Sequence, residues 1–252
     1  MSGRVAIYAA PGTTAADVAG ARLRERAEAW LGRSVAGSPV ASAAPEGWTR
    51  AAVDEITVDA RRYGFHGTLK APFRLAPGRG LDELEAALSQ FAADRPAVTL
   101  PEPSLARLGR FFALVPGARA EPLHSLASEL VTAFDEFRAP ATPAEIARRN
   151  PSALTRRQRE LFDRWGYPYV LDEFQFHLTL TDQIEQERQP EVEAALRAWF
   201  AGCLGRTIPI SSLAIFTEAE PGAPFALHSV HLLRAPFEPL DPERLALAER
   251  TR

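Results

Sequence analysis

The five residues Phe65-His66-Gly67-Thr68-Leu69 return later in the chain as Phe176-His177-Leu178-Thr179-Leu180. Both copies read aromatic–His–x–Thr–Leu within an apolar run that has the character of a strand. Successive side chains of a strand point to opposite faces, so His and Thr at i and i+2 project together. Phe65, Gly67 and Leu69 then face the other way, as do Phe176, Leu178 and Leu180. Each copy is therefore a strand with an apolar under-face and an imidazole beside a hydroxyl above it, and a chain holding two such strands is expected to be built from two comparable halves.

The rest of the pattern fits that expectation. Val5 to Ala9 is β-rich and passes through Pro11-Gly12 into a helical stretch ending near Trp30-Leu31. Residues 32–47 are rich in Ser, Pro, Gly and Ala and read as a surface loop. Phe65 to Phe73 reads as a strand, and Leu81, Leu84, Leu88 and Phe91 recur at helical spacing behind the Pro77-Gly78 turn. A strand follows at Phe111 to Val115, then an amphipathic helix from Pro122 to Phe137. Thr155 caps a helix that Gly166-Tyr167-Pro168 stops after Trp165. Phe174 to Thr181 is the second motif strand. A helix carrying Val192, Leu196 and Trp199 leads to strands near 208–210, 213–216 and 228–233. This order predicts an α+β fold of two similar halves, with residues 1–252 forming a single domain, motif one at 65–69 and motif two at 176–180. A pseudo-twofold axis between the halves would bring both His/Thr pairs to one central cleft.

Composition narrows the partners. A formal charge of −3 and a pI near 6.0 provide no basic field for a long nucleic acid, so a small phosphorylated ligand is favoured. The single cysteine, Cys203, excludes an intrachain disulfide. No apolar stretch reaches membrane-spanning length, and the apolar run at the N-terminus is too short for a signal peptide, so a cytoplasmic location is expected. Two histidines without carboxylates at ligand spacing do not make a metal site, and no cofactor is implied.

Such a cleft suits a phosphodiester. One imidazole takes a proton from water while the imidazolium opposite protonates the departing alkoxide. Thr68 and Thr179 donate hydrogen bonds to the non-bridging oxygens, where transition-state charge accumulates. With ordinary imidazole pKa values, both limbs of the pH profile would lie near neutrality. Lys70, the only lysine among 29 basic residues, lies two positions beyond Thr68 and is a candidate phosphate contact; Thr181 takes the equivalent place in motif two. Tyr63 stands three residues before His66, on the opposite strand face unless Gly64 introduces a bulge. Tyr63, Tyr167, Arg107 and Arg110 are candidates for a substrate pocket, the arginines for a second phosphate. His124, His228 and His231 read as structural.

The duplicated motif resembles the two-histidine (2H) phosphoesterase superfamily, which includes RNA 2′,3′-cyclic phosphodiesterases. The segments 61–73, 154–159, 164–169 and 174–181 look closer to one bacterial branch, often encoded with phosphonate-utilisation genes. The resemblance runs from about Arg4 to Leu233. It implies two lobes of antiparallel sheet and helix around a central cleft, and it puts His66, Thr68, His177 and Thr179 at catalytic positions. It further implies a substrate such as a ribose cyclic phosphate. Gly67 departs from the alanine more usual in that branch, on the under-face, where no effect on the chemistry is expected. Action on RNA ends, by opening cyclic phosphates or joining strands, and non-catalytic binding of a phosphate remain the alternatives.

Overall fold

The computed structural model describes residues 3–14 and 17–235. Nine strands and eight α-helices are described, and the pairings are antiparallel throughout the named strands. The first half comprises β1 (Arg4–Ala9), α1 (Val18–Leu31), α2 (Arg50–Glu55), α3 (Val58–Tyr63), β2 (Gly67–Phe73), α4 (Leu81–Ala93) and β3 (Val98–Leu100). It continues through β4 (Ser104–Leu108), β5 (Phe111–Val115), α5 (Glu121–Ala133), α6 (Pro143–Arg148) and α7 (Arg156–Trp165). Last come β6 (Leu178–Thr179), α8 (Gln189–Phe200), β7 (Ile208–Ile210), β8 (Ser212–Glu218) and β9 (Phe225–Leu232). None of the described helices is long and apolar enough to cross a membrane.

Seven strands form one sheet in the order β4-β5-β6-β2-β1-β8-β9, and β3 pairs with β7 in a separate two-stranded ribbon. The halves expected from the sequence thus share a continuous sheet. They meet at its middle, where the two motif strands are neighbours and Gly67 pairs with Leu178. Helix α4 packs on β8 and β9, and α5 packs on β2. The alternation read from the motifs holds residue by residue: Phe65, Gly67, Leu69, Phe176, Leu178 and Leu180 are buried, while His66, Thr68, His177 and Thr179 keep partial exposure.

Three local features depart from the sequence reading. Motif two forms only a short strand, Leu178–Thr179, in place of one over Phe174–Thr181. Leu180 and Thr181 both donate their N–H to Phe112 O, and the Thr181 hydroxyl accepts from Phe112 N, so a side chain takes over from the regular ladder. Tyr63 ends helix α3 and does not lie on the strand; Gly64 at φ 72° makes the turn into motif one, a conformation open to glycine. Finally, β1 meets β2 out of step. Tyr8 is opposite Thr68 but Ile7 is opposite Lys70, so one residue of β1 faces two of β2. That bulge reverses the parity beyond Thr68.

Thr155 caps α7 as expected, within a reciprocal capping box with Gln158, and Gly166 closes the helix in the left-handed conformation. A less obvious cap fixes α3. The Asp182 carboxylate, just past motif two, accepts from Asp59 N at 3.0 Å and from Ala60 N at 2.9 Å. The loop leaving the second motif therefore holds the helix that leads into the first.

Gly67 is closely packed at the seam. A Cβ added there would stand 2.3 Å from Cζ and 2.5 Å from Cε2 of Phe176, a ring buried against the core. Gly67→Ala should destabilise the protein by about 1–3 kcal/mol, the range for an overpacked core. Urea denaturation checks this, and a midpoint equal to wild type would show that the Phe176 ring gives way freely.

Candidate active site

Antiparallel pairing of Gly67 with Leu178 aligns the central x of one motif with the central x of the other. It follows that Thr179 lies opposite His66, and His177 opposite Thr68. The four side chains occupy the corners of a rectangle with the histidines on one diagonal. At ordinary strand spacing and rise, the Cα atoms of a diagonal pair lie about 8 Å apart.

Both rings are held in the same way. His66 Nδ1 lies 2.9 Å from Gly64 O, and His177 Nδ1 lies 2.8 Å from Gln175 O, in each case the carbonyl two residues earlier. A carbonyl only accepts, so Nδ1 carries the proton in both neutral rings and Nε2 is the free base. His66 Nε2 is 3.1 Å from Thr68 Oγ1.

The environments differ. Tyr8 stacks on His66 with ring centroids 3.8 Å apart and planes 21° from parallel, and Tyr63 borders it at 6.3 Å. His177 is flanked by Phe111, tilted at 5.7 Å. Burial pushes the His66 pKa down to about 4, against the opposing Gly64 carbonyl, and the nearby His177 lowers it further. Burial also lowers the His177 pKa, opposed by the Gln175 carbonyl. Both rings are accordingly neutral near pH 7 in the free protein. Burial holds Tyr8 and Tyr167 as neutral phenols, both with raised pKa values.

A cavity of about 340 Å³ opens over the motif residues His66, Thr68 and Thr179, with Tyr8, Tyr63 and Tyr167 on its walls. A second space of about 430 Å³ lies over His177 and shares Thr68, Ala71, Phe111 and Tyr167 with the first. The two are adjoining parts of one cleft.

The structure brings His66, Thr68, His177, Thr179, Tyr63 and Tyr167 to this cleft. It does not bring Lys70, Arg107 or Arg110. Past the β2 bulge, Lys70 shares a face with Ile7, is buried, and donates from Nζ to Val131 O at 3.0 Å. Its pKa is lowered to about 8, chiefly by burial. Arg107 donates to Gly109 O, and Arg110 pairs with Glu185. The cations that do line the cavity are Arg4 and Arg149, which the sequence analysis did not single out. Arg4 forms a two-point ion pair with buried Glu218, through Nε at 2.6 Å and Nη2 at 2.8 Å. Tyr8 was equally overlooked, although its i, i+2 alternation along β1 marked it as sharing a face with Ala6.

The other histidines lie elsewhere. His124 packs edge-on against Phe174, His228 meets Glu85 at 3.3 Å, and His231 sits between the Ser89 and Ser229 hydroxyls. Among the described residues, no group of three or more His, Cys, Asp or Glu is placed to hold a metal ion.

Fold and site together define an antiparallel α+β protein with a diagonal pair of His/Thr motifs in one cleft. A family model described as "Protein of unknown function (DUF1045)" matches residues 68–226, and the chain belongs to that family. Curated relatives include two proteins named "Ribose 1,5-bisphosphate phosphokinase PhnN". The one from Janthinobacterium sp. (strain Marseille) is 38% identical over 82% of this chain and 46% of its own length. The one from Laribacter hongkongensis (strain HLHK9) is 37% identical over 89% of this chain and 50% of its own length. The chain thus spans about half the length of these relatives. Solved structures with some likeness include a phosphoesterase at TM-score 0.44 and 15% identity, covering 92% of this chain and 99% of that one. E. coli LigT complexed with 3′-AMP scores 0.41 at 15% identity, with 92% and 99% covered. Likenesses this distant carry no weight for the site, which rests on its own geometry.

The lowered histidines make stability depend on pH. A ring neutral in the fold but free to protonate when unfolded contributes stability that is present above about pH 6.5 and is lost as pH falls through the folded value, about 4 for His66. Thermal melts should show Tm falling between pH 6.5 and 4, with a shallower fall in His66→Gln. An identical slope in both proteins would mean that His66 does not titrate at the lowered value.

Proposed function

We propose that the chain is a cyclic phosphodiesterase that opens a small cyclic phosphate by acid–base catalysis between His66 and His177. The observation that carries this reading is the pairing of the two motifs x to x, which sets two Nδ1-anchored imidazoles on one diagonal of the paired strands. A binding module has no use for a matched pair of bases.

In the proposed reaction His66 Nε2 removes a proton from water, whose oxygen attacks phosphorus. The ring P–O bond breaks, and protonated His177 gives its Nε2 proton to the departing oxygen. Thr68 and Thr179 hold the non-bridging oxygens. His66, stacked under Tyr8 and held near pKa 4, suits the base because it stays neutral over the working range. His177 suits the acid, and the anionic phosphate drawn up to it raises its proton affinity. The cavity size suits a metabolite-sized ligand.

The kinase name of the curated relatives does not extend to this sequence. A phosphate-binding loop G-x-x-x-x-G-K-[ST] needs Gly before Lys, and the only lysine here follows Leu69. We assign the phosphokinase activity to the other half of those relatives. Half-length matches to proteins so named still favour a ribose phosphate as the carrier of the cyclic phosphate, in accord with the branch that the motifs resemble.

Purified protein should hydrolyse ribose-based cyclic phosphates, followed by phosphorus NMR, and keep its activity in EDTA. His66→Ala and His177→Ala should each lose roughly 10²-fold or more in kcat/KM. The double variant should lose far less than the product of the two. Thr68→Ala and Thr179→Ala should slow the reaction without moving either pH limb, since neither hydroxyl titrates. Full activity in the double histidine variant would overturn this mechanism.

The pH profile should also depart from one centred on neutrality. With His66 neutral and His177 protonated as the active form, kcat/KM falls below about pH 4 as His66 gains a proton. It falls on the alkaline side as His177 loses one, below the usual 6.5 because burial lowers that ring too. An optimum above pH 7 in kcat/KM would contradict this assignment of states.

A further inference from the structure

Beside the main cavity, and sharing Arg4, Pro72 and Arg149 with it, lies a groove of about 50 Å³. Five arginines line this groove, Arg4, Arg74, Arg138, Arg148 and Arg149, against one carboxylate, Glu145. Three of the five are already neutralised: Arg4 by Glu218, Arg74 by Glu145 and Arg138 by Asp135. Arg148 and Arg149 have no carboxylate partner among the described residues, although most exposed arginines around them, such as Arg156, Arg157 and Arg159, do. Arg149 is half-buried, and its guanidinium lies over the Tyr167 ring at 4.7 Å, on a wall common to cavity and groove.

We infer that this groove is an anion subsite for a second phosphate, a monoester carried by the same substrate whose cyclic phosphate lies between the histidines. The inference rests on the function proposed above and adds the substrate class: a doubly phosphorylated sugar, cyclic at one position and monoesterified at another. A phosphate monoester brings close to two negative charges at neutral pH, which matches two arginines lacking counter-ions. The contact with the Tyr167 ring holds the Arg149 guanidinium beside the groove. At about 50 Å³ the groove is too small for a further nucleotide, which favours a terminal phosphate over a continuing RNA strand.

Two substrates separate this idea from its alternatives: a ribose cyclic phosphate with a 5-phosphate, and the same compound without it. Wild type should prefer the first in kcat/KM by about tenfold to a hundredfold, the scale of a charge-assisted hydrogen bond. Arg149→Gln and Arg148→Gln should each narrow that preference, Arg149→Gln the more. The ratio is read within one preparation, so partial misfolding cancels. Equal rates for the two substrates, or a ratio untouched by Arg149→Gln, would overturn the subsite while leaving the proposed hydrolysis intact. If neither compound is cleaved, the proposed function fails, and calorimetry of ribose 5-phosphate against ribose decides the subsite alone. Binding of the phosphate that weakens in Arg149→Gln upholds it, and no difference between the two sugars refutes it.

Discussion

One backbone pairing sets the geometry of this protein. Where Gly67 meets Leu178, two short motifs are locked antiparallel, and every feature of the cleft follows from their register. A slip by one residue on either strand would turn an imidazole and a hydroxyl into the core and bring Phe or Leu up into the cleft. The under-face guards against that slip. Phe65, Phe176, Leu178 and Leu180 are all buried, and the Phe176 ring fills the space left by the missing side chain at Gly67. Specificity of register is thus provided by packing on one face and fixes the arrangement of the polar side chains on the other.

The symmetry of the motifs stops at their neighbours. Each imidazole uses Nδ1 on the carbonyl two residues before it, so the two rings present the same tautomer. The strands beyond them differ: β1 brings a phenol ring flat against His66, and β5 brings Phe111 at an angle to His177. Burial is the largest influence on both rings and is more strongly felt at His66. Identical residues in related positions are in this way set apart in basicity, which is what a reaction needing one neutral and one protonated imidazole demands.

The motif side chains were legible because strand alternation is a local rule, and burial follows it at every one of the ten motif positions. The helices with clear apolar stripes and caps were legible for the same reason, as Thr155 and Gly166 show. What escaped was set by contacts remote in sequence. Lys70 kept its parity on paper, but the β2 bulge turned it toward Val131. Arg110, adjacent to a core strand, is occupied by Glu185. Arg149 lies in a stretch with a weak helical pattern, between Pro143 and Pro151, and nothing local marks it as a cleft residue. Helix α3 is six residues long and depends on a cap from Asp182, so no signal within its own span announces it.

That distant cap has a consequence for the site. Asp182 follows the last residue of motif two by two positions, and its carboxylate fixes the first N–H groups of α3. At the other end of α3, Gly64 N donates to Arg61 O and turns the chain so that Gly64 O faces His66 Nδ1. The orientation of the first histidine is therefore referred to the second motif twice, once across the β2–β6 ladder and once around through α3. A cleft between two lobes joined only by a ladder could hinge open there and part the imidazoles. The second tie opposes that opening, because moving motif two away pulls the cap from α3 and with it the carbonyl that holds His66. Preorganisation of the pair comes from this closed loop of contacts, and neither motif could supply it alone.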